Sequence, residues 1–241
     1  MLPAQPNQSL IDGLACLQAL AAADGPAGSI DLARLLDMEP TRANRLLKTL
    51  AALGFARQNS QRKYIAGPAM HVLAAQSMKG SRLLACAMPV IGELQAEGLT
   101  VALGVLWRAH VCYLFHGKPR RQLVEGVFHY ELFPALKSSI GLALLARKTN
   151  REITELLKSA PPGVPRALDA ETRALLAAAR GNGFCHVRRG RDDTSIGVVI
   201  GDPAVAGLAF AGPFSDQDAP RLARVLQEAA AQIEGSLNEK P

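Results

Sequence analysis

The sequence lacks every short signature that would mark it as a metalloprotein or a common enzyme. Its four cysteines, Cys16, Cys86, Cys112 and Cys185, are scattered through 241 residues without a C-x-x-C pair. That spacing excludes a zinc module or a disulfide framework and reads as reduced core residues. His71, His110, His116, His129 and His186 show no H-x-x-x-H or Cys/His spacing, so no metal site is expected. G-x-S-x-G, Walker A and G-x-G-x-x-G are absent, no nucleophile is marked beside a base, and no cofactor is expected. No apolar run approaches the roughly 18 residues of a membrane span. The start, MLPAQPNQSL, has no basic segment leading into an apolar one. The expectation is a cytoplasmic protein without a membrane partner.

What is present is an ordinary globular composition, 49% hydrophobic and 20% charged, with no internal repeat or low-complexity tract. The length admits one domain or two. A net charge of +6 is compatible with an anionic partner once the charge is located on a surface.

Leu10, Leu14, Leu17 and Leu20 recur at helical spacing, and DGPAG ends that helix. Ser29 can cap a short second helix with Ile30, Leu32, Ala33, Leu35 and Leu36 inward. Pro40 suits the first turn of a third helix, from about Thr41 to Leu53, ended by Gly54. Its apolar face is Ala43, Leu46, Leu47, Leu50 and Leu53. Phe55–Arg57 and Lys63–Ile65 read as a hairpin around a polar connection. Three helices and a hairpin outline a winged helix-turn-helix. A linker helix follows from Gly67 to a break at Met78-Lys79-Gly80, and then an amphipathic helix from about Ser81 to Glu97.

Beyond it the texture changes. TVALGVLW, VCYLFHG, FCHVRR, TSIGVVIG and AVAGLAFAG read as strands. Residues 138–147, 150–158, Asp169–Arg180 (ended by Gly181) and Asp216–Leu237 read as helices, and residues 121–135 carry no clear pattern. Strands and helices that do not alternate strictly predict an α+β domain with a mainly antiparallel sheet.

The strongest signal is again an absence. From Thr41 to Gly92 there are eight basic residues and no Asp or Glu. A docking surface for duplex DNA gains from cations and is penalised by each carboxylate that faces the phosphates. The first residues of a recognition helix lie in the major groove, which makes Arg42, Asn44 and Arg45 the base-edge candidates. Lys48 suits phosphate, Thr41 a cap or backbone contact, and Arg57, Arg62 and Lys63 phosphates or the adjacent minor groove.

Residues 9–76 resemble the IclR-type transcriptional regulators. The matching residues are Pro40, Thr41, Arg45-Leu46-Leu47, Thr49-Leu50, Leu53-Gly54-Phe55 and Tyr64-x-x-Gly67-Pro68. FPALKSSIGLALLA, GNGFCHVRRGRDDTSIGVVIGDP and AVAGLAFAGPFS extend the similarity, more weakly, through the second half. The resemblance implies a homodimer, often a dimer of dimers, that binds operator DNA through its N-terminal domain and a small organic effector through its C-terminal one. It further implies an effector cleft at the backbone amides of Ser139 and Ile140, the strand from Ser195, and Ala209 and Ala211; Phe133, just upstream, is placed to form an apolar wall. A helix N-terminus offers unpaired N–H groups and the positive end of a dipole, which suits a carboxylate. Three departures stand out. Leu142 replaces the family's lysine, His186-Val187-Arg188-Arg189 replaces an acidic loop, and Ala209 and Ala211 replace hydroxyl-bearing residues. A drier pocket favours an effector with an apolar or aromatic body over a small polar acid. The same residues also fit plainer roles: Ala209 and Ala211 a core strand, Ser139 a helix cap, Arg188 and Arg189 a solvated surface.

The expected organisation is a winged helix-turn-helix at 1–66, a linker helix at 67–80 and an effector-binding and oligomerisation domain at 81–241. The expected function is ligand-responsive regulation of transcription, from a catabolic operon. The alternatives are a metabolic or hydrolase-like enzyme with a basic N-terminal appendage, and an architectural DNA binder.

Overall fold

The computed structural model describes residues 4–119, 121–127, 132–158, 160, 165–190 and 193–239. The chain divides after Ser81 into two compact units. In the first, α1 (Gln8–Ala21), α2 (Ser29–Leu35) and α3 (Pro40–Ala52) precede a hairpin of β1 (Ala56–Gln58) and β2 (Tyr64–Ala66), and α4 (Ala69–Ser81) follows. Asn7 caps α1 by accepting the Leu10 N–H at 3.0 Å, and Pro40 occupies the first turn of α3, where its missing N–H has no helical partner to lose. The core is Cys16, Leu20, Leu32, Leu47, Ala56 and Tyr64.

One pairing had no signal in the sequence. Ala27 and Tyr64 exchange backbone hydrogen bonds of 2.9 and 2.8 Å, so the α1–α2 connection lies beside the hairpin as a third strand position. Where the chain leaves the hairpin for α4, a Cβ on Gly67 would lie 2.8 Å from the Ala56 nitrogen, so only glycine fits.

Several expected inward faces are corrected. Leu10 and Leu14 are 60% and 54% exposed, because α1 approaches α3 through the smaller Gly13 and Cys16. Ile30, Leu35 and Leu53 likewise point to solvent, since each of these helices is covered on one side only. Gly28, not Ser29, stands at the N-cap of α2, and no side chain caps it. No break interrupts Met78-Lys79-Gly80: α4 runs through Ser81, and Arg82, at φ 55°, makes the turn into α5 (Leu83–Leu94). Within the second unit, the Arg82 guanidinium donates to the Ser236 and Glu239 carbonyls.

The second unit is built on one antiparallel sheet. Its strands are β3 (Thr100–Trp107), β4 (His110–Gly117), β5 (Leu132–Pro134), β6 (Cys185–Arg188), β7 (Thr194–Ile200) and β8 (Ala206–Gly212), in the order β5-β4-β3-β8-β7-β6. Between β4 and β5 lies a short α6 (Leu123–Gly126), and between β5 and β6 come α7 (Ser139–Ala146), α8 (Asn150–Lys158) and α9 (Ala170–Asn182). The last helix is α10 (Ala219–Asn238). The helix α9 ends at Gly183, with φ 73° as its left-handed cap, rather than at Gly181.

Strand alternation gives the sheet two unlike faces. Val101, Leu103, Phe115, Ile196, Val198, Leu208 and Phe210 pack against α5 and α10. On the other face, smaller residues receive α7. A Cβ on Gly197 would lie 2.5 to 2.7 Å from the backbone of Ser139 and Ile140, so α7 rests its first turn directly on β7. Gly197→Ala should therefore lower the unfolding free energy by about 1–3 kcal/mol in urea denaturation. A loss below about 0.5 kcal/mol, the level of a neutral surface change, would mean that α7 lifts without cost.

Candidate nucleic-acid interface and effector cleft

The buried Ala43 and Leu47 turn the opposite side of α3 outward, and Arg45, Lys48 and Thr41 are exposed there. Asn44 is half-buried on the flank. Arg42 lies toward α1, where its Nε is 2.7 Å from Asp12 Oδ2. The expected base-edge trio is thus split, with Arg45 at the centre, because 3.6 residues per turn carries neighbours to opposite flanks. The hairpin tip is organised by Asn59, whose Oδ1 accepts the N–H groups of Gln61 and Lys63 at 3.0 and 2.9 Å. Arg62, at φ 58°, closes that turn. Arg57, Arg62 and Lys63 are exposed, and with Arg45 and Lys48 they have no carboxylate in ion-pairing range among the described residues.

The residues expected at the effector cleft gather around the start of α7. Ser195 pairs with Ala211 and Val187 across the sheet, and Ala209 pairs with Gly197 and Ala102. Ser139, Ile140, Ser195 and Ala209 are each at least nine-tenths buried. The cap of α7 is Ser138, not Ser139: its Oγ accepts the Gly141 N–H at 3.2 Å and lies 3.0 Å from the Tyr113 hydroxyl. Phe133, 37% exposed on edge strand β5, stands 6.2 Å from the Tyr113 ring. Ile140 points its side chain into the core, leaving only its backbone for a ligand.

Tyr113 and Arg189 join this group. Burial pushes the Tyr113 hydroxyl above its ordinary value, while the Ser138 hydrogen bond and the Arg189 charge oppose that rise. Tyr113 is therefore a neutral hydroxyl at physiological pH. The two adjacent arginines have different environments. Arg188 meets Asp216 at 2.6 Å, whereas Arg189 is exposed and has no ion pair among the described residues. His186 stacks on Phe214 at 6.1 Å, and its Nε2 is 3.7 Å from Asp216, too far for a hydrogen bond.

Two clefts, of about 330 and 550 Å³, lie toward the end of α7 and share Ala146, Arg147 and Asp202. Neither contains any of the expected effector residues. Among the described residues no group of His, Cys, Asp or Glu could hold a metal ion, and no helix is long and apolar enough to cross a membrane. His129 lies outside the described residues.

A winged helix-turn-helix followed by an α+β domain defines the class of molecule. Residues 9–60 match the IclR helix-turn-helix domain. The chain is 31% identical over 131 residues to the HTH-type transcriptional regulator BhcR of Paracoccus denitrificans (strain Pd 1222), covering 53% of this chain and 47% of that one. It is 27% identical over 175 residues to the acetate operon repressor of Salmonella typhimurium, covering 71% and 62%. The matches thus span less than two thirds of each curated relative. Among solved structures, an IclR-type protein from Silicibacter sp. TM1040 superposes with a TM-score of 0.78 at 25% identity, covering 96% of this chain and 97% of that one. An IclR homolog from Microbacterium hydrocarbonoxydans, complexed with 4-hydroxybenzoate, gives 0.67 at 23% identity over 95% and 99%. Residues 9–60 thus carry an IclR-type helix-turn-helix domain, and the whole chain shares the fold of IclR-type structures.

Burial holds both His110 and His186 below the ordinary imidazole value; for His186 the Arg188 charge adds to this and Asp216 opposes it. The unfolded chain then binds more protons than the folded one, so stability is complete above about pH 6.5 and declines as the pH falls below it. Urea denaturation should show a lower unfolding free energy at about pH 5.5 than at about pH 7.5, with His186→Gln weakening the dependence. An unchanged dependence in the variant would exclude His186 as a contributor.

Proposed function

We propose that the protein is a ligand-responsive transcriptional regulator, cytoplasmic and acting on a catabolic operon, that binds operator DNA as a dimer or dimer of dimers. The observation that carries this reading is the exposed set Arg45, Lys48, Arg57, Arg62 and Lys63, free of carboxylate partners among the described residues, on a winged helix-turn-helix. Arg45 is the residue assigned to base edges; Lys48 and the hairpin cations are assigned to phosphates. Exposed Leu10 and Leu14 on α1, and Val72 and Leu73 on α4, supply apolar surface for a second copy. The named relatives are a transcriptional regulator and an operon repressor, so the enzyme alternative is set aside.

For the effector, the small Ala209 and Ala211, the ring of Phe133, and the polar set Tyr113, Ser139, Ser195 and Arg189 favour an aromatic acid. This fold accommodates such a molecule in the Microbacterium structure with 4-hydroxybenzoate. An effector changes DNA binding only by the difference in its affinity for two arrangements of the dimer.

Duplexes selected from a random pool should bind at least about 10³-fold more tightly than a scrambled duplex in fluorescence anisotropy, with a salt slope of several phosphate contacts. Arg45→Ala should cut that discrimination about tenfold or more. Equal binding to all duplexes would favour an architectural protein. In titration calorimetry, benzoate or 4-hydroxybenzoate should bind and pyruvate and glyoxylate should not, with Arg189→Ala weakening the aromatic acid about tenfold. Tight pyruvate binding would overturn the effector assignment.

A further inference from the structure

Among the described residues, one carboxylate outside the acid-free stretch from Thr41 to Gly92 forms an ion pair with it. Asp12, on α1, places Oδ2 2.7 Å from Arg42 Nε, and its Oδ1 accepts from Gln8 Nε2 at 2.8 Å. The Asp12 side chain is only 15% exposed, while Arg42 is 42% exposed. The Nη atoms of Arg42 have no ion pair or hydrogen bond among the described residues. Arg42 is the third residue of α3, in the turn that enters the major groove in this class of domain.

We propose that Asp12 is a specificity-determining positioning residue of the DNA interface. It holds the Arg42 guanidinium toward α1 by charge and cancels much of that residue's attraction to phosphates in general. The inference rests on the regulator reading. A loose arginine at the rim of a recognition helix gains from any phosphate that it reaches, whatever the sequence. Drawn to a carboxylate on α1, Arg42 ranges less widely than a free arginine, and its two Nη groups remain open to the duplex. Its hydrogen bonds then form in fewer registers of the duplex. Out of register, the Asp12 charge stands close to the phosphates and repels them. Asp12 lowers non-specific affinity and thereby raises discrimination, although α1 itself lies outside the recognition helix.

The test compares wild type, Asp12→Asn, Arg42→Gln and the double variant on a selected and a scrambled duplex, each across a salt series. Asp12→Asn should tighten binding to the scrambled duplex several-fold, steepen its log–log salt slope by about one, and reduce the selected-to-scrambled ratio about tenfold. In the Arg42→Gln background, Asp12→Asn should have no further effect on the ratio. Asp12→Glu should recover part of the discrimination. If Asp12→Asn weakens both duplexes equally, or acts the same with and without Arg42, the residue only holds α1 to α3 and the proposal is overturned. A preference that survives Asp12→Asn unchanged also overturns it, while leaving the regulator reading intact. Absence of any preference in the wild type would overturn both, and is recognisable before any variant is made.

Discussion

Cations left without carboxylate partners on a small domain repel each other, and the N-terminal unit can carry them only because an apolar core fixes the elements beneath. Cys16, Leu20, Leu32, Leu47, Ala56 and Tyr64 come from α1, α2, α3 and both strands of the hairpin, so one cluster joins the elements that carry or flank Arg45, Lys48, Arg57, Arg62 and Lys63. Hydrophobic burial is insensitive to the sign of surface charge, which leaves the exposed Arg45, Lys48, Arg57, Arg62 and Lys63 outside the interactions that hold the fold. The phosphates of a bound duplex would relieve the repulsion that the free domain tolerates.

The C-terminal unit divides its labour between the two faces of its sheet. The face beneath α5 and α10 is filled with Phe115, Phe210, Ile196 and Val198, large groups that leave little room. The face beneath α7 carries Ala102, Ser195, Gly197, Ala209 and Ala211, which let a helix approach closely and leave polar groups at its first turn. Large side chains thus fill one side of the sheet and close helix approach the other. Ser138 has two partners at the start of α7: its hydroxyl caps the helix and meets Tyr113.

Much of this was legible in the sequence, because it is local. Pro40 and Gly54 bracket α3, and TVALGVLW coincides with β3. The deviations arise where partners are distant. Leu10 and Leu14 have the spacing of a core face, but the choice of contact side was made by Gly13 and Cys16, whose small size allows α3 to come near. Tyr113 was hidden by a bulge. Leu103 pairs with Phe115 while Gly104 pairs with Tyr113, so simple alternation along VCYLFHG assigns side chains to the wrong face beyond that point. Arg188 and Arg189 are indistinguishable in sequence and diverge only because Asp216, 28 residues away, takes one of them.

The pairing of Ala27 with Tyr64 ties the hairpin to the connection between α1 and α2, so the wing is braced at its base as well as by its own turn. Held at its base as well as at its tip, the wing has fewer ways to shift against α3 than a free hairpin. Were the two to straddle a groove, duplexes whose groove width already suits them would be favoured, even at steps that no side chain touches.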